Sequence, residues 1–131
     1  MTNEYCPCGS QLQYANCCGL YIKNKMNAPS PETLMRSRYT AYTQANIDYI
    51  EKTMMGPAAK NFNRESAKQW AETVKWQRLK VISAPKTIND EGFVEFKAYY
   101  KVQGRSHVLH EISEFHKVDG QWFYVDGKHS N

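Results

Sequence analysis

The arrangement of hydrophobic and polar positions changes at about residue 74. Before that point, apolar side chains recur every three or four residues, which is the spacing of one face of an α-helix. After it, apolar and polar side chains alternate, which is the spacing of a β-strand with one buried face. Helices followed by strands predict an α+β fold, in which helices pack on one face of an antiparallel sheet.

Three helices are predicted in the first half of the chain. The first begins at Ser30, whose side chain can cap the free amides, and continues with Pro31, which suits the first helical position. The second follows Asn46 and ends at Gly56. The third covers residues 64–72, where the apolar side chains again share one face.

Four strands are predicted in the second half, at residues 74–83, 92–102, 106–118 and 121–126. The last three follow one another closely enough to be linked as hairpins. Asp119-Gly120 favours a tight two-residue turn between the last two strands. The sequence therefore predicts a continuous antiparallel sheet behind the helices.

All four cysteines lie near the start of the chain, at Cys6, Cys8, Cys17 and Cys18. Zinc favours four ligands in a tetrahedron, and thiolate is a preferred structural ligand. The gaps of one and zero residues within the two pairs are shorter than in a generic zinc site, so spacing alone gives moderate support. Gly9 allows the chain to curl, and adjacent cysteines can reach one ion where the chain turns helically.

A disulfide framework and a thiol redox centre are the alternatives to a metal site. The chain shows no secretory signal, which weighs against disulfides, and no Cys-x-x-Cys at a helix start, which weighs against redox chemistry. Metal binding is the favoured interpretation. Four thiolates accept iron as well as zinc, so iron stays an alternative.

The order Cys-Pro-Cys-Gly-Ser, a tyrosine and Cys-Cys-Gly closely resembles the SEC-C motif, a small zinc-binding module of the SecA translocation ATPase. The resemblance implies that the four cysteines are zinc ligands, that Gly9 and Ser10 form the turn, and that Tyr14 packs against the site. One feature departs from the motif, because typical modules carry several lysines where this chain reads "QLQYAN". The departure weakens any expectation of ribosome or nucleic-acid binding by the cysteine-rich segment at residues 1–22, which we call the knuckle.

The segments "LMRSRYTAY" (34–42) and "GQWFYVDG" (120–127), after such a motif, look like the YchJ family over nearly the whole chain. The resemblance implies a nuclear-transport-factor-2-like roll, also called SnoaL-like or cystatin-like, behind the zinc knuckle. We expect a SEC-C motif at residues 1–22, a linker at 23–29 and the roll at 30–131. Many members carry a second SEC-C motif, whereas this sequence ends at "GKHSN", so we expect a short member or a truncated form.

Such rolls leave a cavity between helices and sheet. Alternation along residues 106–118 places Glu111 and Ser113 on the same face as two apolar side chains, and therefore inside. Glu111 could act as an acid or base, helped by Ser113 and Tyr124. The favoured interpretation is structural: Glu111 pairs with Arg36 or Arg38 and anchors the helix to the sheet.

Four histidines are candidates for further chemistry. His107, His110 and His116 lie on one strand but too far apart to share one ion, so we interpret them as surface residues. His129 falls in a segment expected to fray. The net charge of +4 is scattered along the chain, which permits an acidic partner without requiring one.

We expect a non-catalytic, zinc-binding adaptor in the cytoplasm, since the chain shows neither a secretory signal nor a long apolar run. By resemblance, its SEC-C motif would dock a protein partner of the secretion or translation machinery. The alternative is a small enzyme or small-ligand binder that uses the roll cavity, with Glu111 as acid or base. The candidate ligand-binding residues of this cavity are Arg36, Arg38, Glu111, Ser113 and Tyr124. A homodimer through the open face of the sheet is a further candidate, and a nucleic-acid partner is not expected.

Overall fold

The computed structural model describes residues 5–129 and has the predicted α+β architecture. The helices are α1 (Cys18–Ile22), α2 (Pro31–Thr43), α3 (Ile47–Lys52), α4 (Gly56–Lys60) and α5 (Arg64–Thr73), preceded by a 3-10 turn at Tyr14–Asn16. The strands are β1 (Lys75–Ser83), β2 (Glu91–Val102), β3 (Arg105–Val118) and β4 (Gln121–His129). No helix within residues 5–129 is long and apolar enough to cross a membrane.

The sheet is an antiparallel meander in the order β1-β2-β3-β4. The predicted turn at Asp119-Gly120 is present, with φ angles of 52° and 79°. Gln103-Gly104 repeats it between β2 and β3, with φ angles of 51° and 79°. Positive φ at both central residues gives the twist that matches the flanking strands, and glycine adopts it without steric cost.

Helix α2 lies at the centre of the molecule and contacts α1, α3 and strands of the sheet. It begins as predicted, because the Ser30 side chain accepts a hydrogen bond from the Thr33 amide and Pro31 occupies the first turn. One side of α2 faces the cysteine knuckle and the other faces the sheet. The helix therefore joins the two parts of the structure.

Two elements differ from the sequence prediction. Helix α3 ends at Lys52, before the predicted end at Gly56, and Gly56-Pro57 begins the short helix α4, because proline is well suited to a first helical turn. Helix α4 packs along β4. Strand β4 continues to His129, three residues beyond the predicted end, and pairs with β3 along that extension.

The hydrophobic core includes side chains of both parts of the chain. Phe115, Leu34 and Ile50 are almost fully buried, and Cys8 and Cys18 belong to the same buried cluster. The knuckle is therefore packed into the core of the roll.

The buried tyrosine at the centre of α2 gives a test of this packing. Burial, with a smaller contribution from the Cys8 thiolate, raises the pKa of Tyr39 to about 12. An unfolded tyrosine ionises near pH ~10, so the stabilisation is complete below that pH and is lost as the pH rises toward the folded pKa. We expect the free energy of unfolding to fall by roughly 2–3 kcal/mol more in the wild type than in Tyr39→Phe over this range.

Urea unfolding at a series of pH values measures this difference. Tyr5→Phe is the control, because Tyr5 is 68% exposed, and it should follow the wild-type curve. Parallel pH curves for wild type and Tyr39→Phe would contradict the burial of this phenol.

Candidate metal centre and cavity

The backbone around the cysteines folds into two tight turns. The Gly9 amide donates to the Cys6 carbonyl at 3.2 Å, and Gly9 has a φ angle of 85°, which a residue with a side chain rarely adopts. Helix α1 begins at Cys18 and directs the Cys17 and Cys18 side chains differently. The turn at Gly9 and the helix start together bring both cysteine pairs to one point.

The four cysteine sulfurs lie within 4.8 Å of one another and none is in a disulfide. The Sγ atoms of Cys8 and Cys17 are 3.6 Å apart, and those of Cys17 and Cys18 are 4.0 Å apart. A tetrahedral zinc with Zn–S bonds of ~2.3 Å would separate its sulfurs by roughly 3.8 Å. The cluster therefore fits a four-coordinate metal, and the sequence prediction named the residues that form it.

At these distances neighbouring thiolates repel one another, so the four thiols compete for deprotonation. Hydrogen bonds from Cys18 and Cys6 lower the pKa of Cys8. Hydrogen bonds with Cys6 and Cys8, followed by burial, raise the pKa of Cys18, and burial raises the pKa of Cys17. A bound divalent cation would relieve this competition, because it stabilises all four groups as thiolates.

Hydroxyl groups surround the sulfurs on two sides. Thr40, buried on α2, donates to the Cys18 sulfur at 3.3 Å and lies 3.7 Å from the Cys6 sulfur. Ser10 Oγ lies 3.1 Å from the Cys17 sulfur. Such outer hydrogen bonds orient ligands and disperse thiolate charge. Tyr14 also packs here, as expected, because its ring lies directly against the backbone of Gly19.

Arg36 supplies a positive charge beside the knuckle. Its Nη1 donates to the Cys8 carbonyl at 2.7 Å, and its Nε donates to Glu32 at 2.9 Å. Arg36 is not among the residues that line the roll cavity, so its predicted place there is wrong. The reason is helical geometry, since positions 36 and 38 project about 200° apart around the axis. The positive charge of Arg36 interacts favourably with the charge of the Cys8 thiolate.

A cavity of about 680 Å³ lies between α2, α4, α5 and the sheet. Its volume falls in the range of small-molecule sites, roughly 300–1,000 Å³. The wall is largely aromatic and is formed by Tyr39, Tyr42, Phe62, Trp70, Trp76, Phe96 and Phe115. Trp76 is the centre of this wall, because it makes ring contacts with Tyr39, Tyr42 and Trp70 at centroid distances of 5.7–6.0 Å.

The polar part of the lining, called the polar wall below, centres on Glu111, which is buried as predicted and pairs with Phe96 across the sheet. Ser113 and Tyr124 donate to its Oε2 atom, Tyr124 from 2.9 Å, and His129 Nε2 lies 3.0 Å from its Oε1 atom. An ionised carboxylate only accepts hydrogen bonds, so all three side chains donate. Burial and the Glu111 charge raise the pKa of Tyr124.

The expected ion pair between Glu111 and an arginine is wrong: within residues 5–129, Glu111 forms its ion-pair contact with His129. His129 was missed because it was assigned to a frayed end, whereas β4 pairs it directly with Glu111. Gly127 makes this arrangement possible, since a side chain there would overlap Tyr124 and Glu111. Simple alternation along β4 does not reveal this face, because a register shift at Val125 brings Tyr124, Gly127 and His129 to the same side of the strand.

Arg38 lines the cavity, in contrast to Arg36. Its Nη1 donates to the Ile50 carbonyl at 2.8 Å and to Thr53 Oγ1 at 2.7 Å, and its guanidinium lies 4.6 Å from the centre of the Tyr124 ring. Burial lowers the pKa of Arg38. Arg38, Glu111, Ser113 and Tyr124 are therefore brought together, as four of the five predicted cavity residues.

The remaining histidines lie outside the cavity. His107 is exposed and stacks on Tyr100 at a centroid distance of 5.3 Å. His110 contacts Glu95, and His116 contacts Glu114, each at 2.7 Å. These contacts give the three histidines local partners on the sheet.

Metal binding is tested by elemental analysis. We expect about one equivalent of zinc per wild-type chain and its loss from a Cys17→Ser, Cys18→Ser variant, because two of four thiolate ligands are removed. Ala15→Ser is the matched control, since it adds a serine at an exposed position of the same loop, and should retain the metal. Plasma mass spectrometry makes the measurement and distinguishes zinc from iron. Metal retained by the double variant would rule out this site.

Known proteins share both parts of this structure. The family description "YchJ, middle NTF2-like domain" matches residues 30–127, and the SEC-C motif matches residues 3–20. A UPF0225 protein of Geobacter sulfurreducens is 39% identical over 129 residues, which cover 97% of this chain and 80% of that protein.

Two solved structures of SEC-C motif containing proteins are similar over 96% of this chain. The one from Rhodopseudomonas palustris has a TM-score of 0.88 at 34% identity, with 98% of that chain covered. The one from Psychrobacter arcticus has a TM-score of 0.82 at 29% identity, with 82% covered. The chain therefore belongs to the YchJ family, in which a SEC-C motif accompanies a nuclear-transport-factor-2-like roll.

Proposed function

We propose that this protein binds a small organic molecule in the roll cavity, on a scaffold that a zinc-loaded knuckle stabilises. The observation that carries this proposal is the cavity of about 680 Å³, open between helices and sheet, whose largely aromatic lining includes a small group of polar side chains. Ligand sites combine a largely apolar lining with a few placed polar groups. A cavity serving only as packing space would be filled by side chains.

The polar wall suits binding more than acid–base catalysis. The Glu111 carboxylate already accepts hydrogen bonds from Ser113, Tyr124 and His129. A carboxylate used in this way fixes its donors in place. Glu111 therefore acts chiefly as the residue that positions Tyr124 and His129 beside the ligand.

The knuckle supports the cavity through α2. Cys6 and Cys18 contact Thr40, and the same helix carries Arg38 and Tyr39 into the cavity lining. Folding of a four-cysteine knuckle is coupled to metal binding, so metal energy contributes to holding α2 in place. We propose zinc as this metal and the cytoplasm as the compartment, since four free thiols suit a reducing environment.

Ligand binding is tested with naphthalene-2-carboxamide, a neutral aromatic probe. We expect saturable binding that changes tryptophan fluorescence, because Trp70 and Trp76 line the cavity. Leu109→Trp should weaken it at least about tenfold, since Leu109 lines the cavity and the larger ring would fill it. Calorimetry gives the dissociation constants.

Val108→Trp is the matched control for this experiment. Val108 precedes Leu109 on β3, points to the other face of the sheet and is 51% exposed. Its substitution should leave probe affinity within about twofold. Equal losses in the two variants, or no loss in Leu109→Trp, would place binding outside the cavity.

Docking of a protein partner through the knuckle is the second candidate. Tyr5 and Leu12 are 68% and 53% exposed, and both lie on the knuckle beside the backbone bridge that joins Tyr5 to Gln13. Exposed apolar side chains on a rigid small module are suited to a protein contact. Because the knuckle of this chain carries a SEC-C motif, we propose that the partner belongs to the secretion or translation machinery.

A Leu12→Ser variant tests this second role. It should keep its metal and its affinity for the cavity probe but lose binding to purified translocation ATPase or ribosomes, measured by co-sedimentation. Met26→Ser is the control, because Met26 is also exposed (50%) but lies beyond the knuckle. If Leu12→Ser binds as the wild type does, this surface is not the docking site.

A further inference from the structure

Arg38 is a buried cation whose hydrogen-bonding capacity is only partly used. Its side chain is 7% exposed, yet it lines the cavity. Within residues 5–129, its hydrogen bonds to Ile50 and Thr53 both start from Nη1. A guanidinium has five N–H donors arranged as a fork. The Nε and Nη2 donors are therefore available to a group that enters the cavity.

The charge of Arg38 also has no carboxylate against it. Among the described residues, Arg36 and Arg64 form ion pairs with acidic side chains, whereas Arg38 forms none. Arg78 and Arg105 also form none, but both are exposed to water. Glu111 is the acidic group whose charge acts on Arg38, but its oxygens are taken by Ser113, Tyr124 and His129. A buried charge normally has a partner of opposite sign. The Ile50 carbonyl and the Tyr124 ring offset only part of the Arg38 charge.

The side chains around Arg38 indicate the chemical class of a ligand that could pair with its charge. Tyr42, one helical turn further along α2, lies close enough to Arg38 for their charges to interact, and its ring is 5.9 Å from that of Trp76. A ligand anchored at Arg38 would thus extend its body along flat aromatic side chains. Aromatic rings prefer other flat rings in stacked or edge-on contact.

From this arrangement we infer that the cavity takes an aromatic carboxylate, with its carboxylate paired to Arg38 and its ring against Tyr42 and Trp76. The fork of a guanidinium matches the two oxygens of a carboxylate. This inference rests on the proposed function, since it specifies the class of molecule that occupies the same cavity.

The test compares matched carboxylates and carboxamides of benzene, naphthalene and biphenyl by calorimetry near neutral pH. Each pair has the same shape and differs in charge. We expect the carboxylate of the best-fitting scaffold to bind about tenfold more tightly than its amide, and this preference to weaken with salt. Arg38→Met should reduce the preference to about twofold or less.

Arg78→Met is the matched control, because Arg78 is exposed on β1 and is not among the residues that line the cavity. It should keep the wild-type preference for carboxylates. Arg38→Lys, which retains the charge without the fork, should keep part of it. Circular dichroism checks each variant, and if Arg38→Met does not fold, the comparison of Arg38→Lys with wild type replaces it.

The outcomes separate this inference from the proposed function. An amide that binds as tightly as its carboxylate on every scaffold overturns the inference and leaves cavity binding intact. A preference that survives in Arg38→Met assigns the charge recognition to another group and also overturns it. Failure of all six probes to bind overturns both the inference and the proposed function.

Discussion

The contact between the cysteine cluster and helix α2 is the constraint on which the structure depends. Thr40 lies against two of the sulfurs, and Arg36 holds the backbone of Cys8 through a hydrogen bond of 2.7 Å. Because Cys8 and Cys18 are part of the main hydrophobic cluster, the knuckle is joined to the roll by buried surface. Without the knuckle, the side of α2 that carries Thr40 would face water, and the helix would lose its contacts with α1.

The packing of the helices against the sheet leaves the cavity unfilled. Residues of β2 and β3 that face α2 are small or polar at two points, Ala98 and Ser113, and these leave space where larger side chains would fill it. The polar wall is itself tightly packed, since Gly127 leaves no room for a side chain beside Glu111. Hydrogen-bonded polar groups beside a broad aromatic surface give a site that can orient one end of a ligand and pack against the rest.

The sequence predicted features that depend on local spacing and missed those that depend on distant packing. The cysteine ligands and the inward face of Glu111 and Ser113 follow from short-range pattern, and the structure places them accordingly. The helical pattern separates the two arginines of α2, because Arg38 shares the apolar face of Met35 and Tyr42 that lines the cavity. His129 was missed because Asp126-Gly127 reads as the end of a strand and only pairing with β3 extends it.

The segment of α2 from Arg36 to Thr40 contributes side chains to two sites on different sides of the helix. Arg36 and Thr40 face the knuckle, while Arg38 and Tyr39 face the cavity. Inserting or deleting one residue within it would rotate one side against the other by about 100°, and neither site would then keep its arrangement. Descendants of this sequence can therefore exchange residues in the helix but not change its length there, whereas the exposed connection at residues 84–86 is free to grow or shrink.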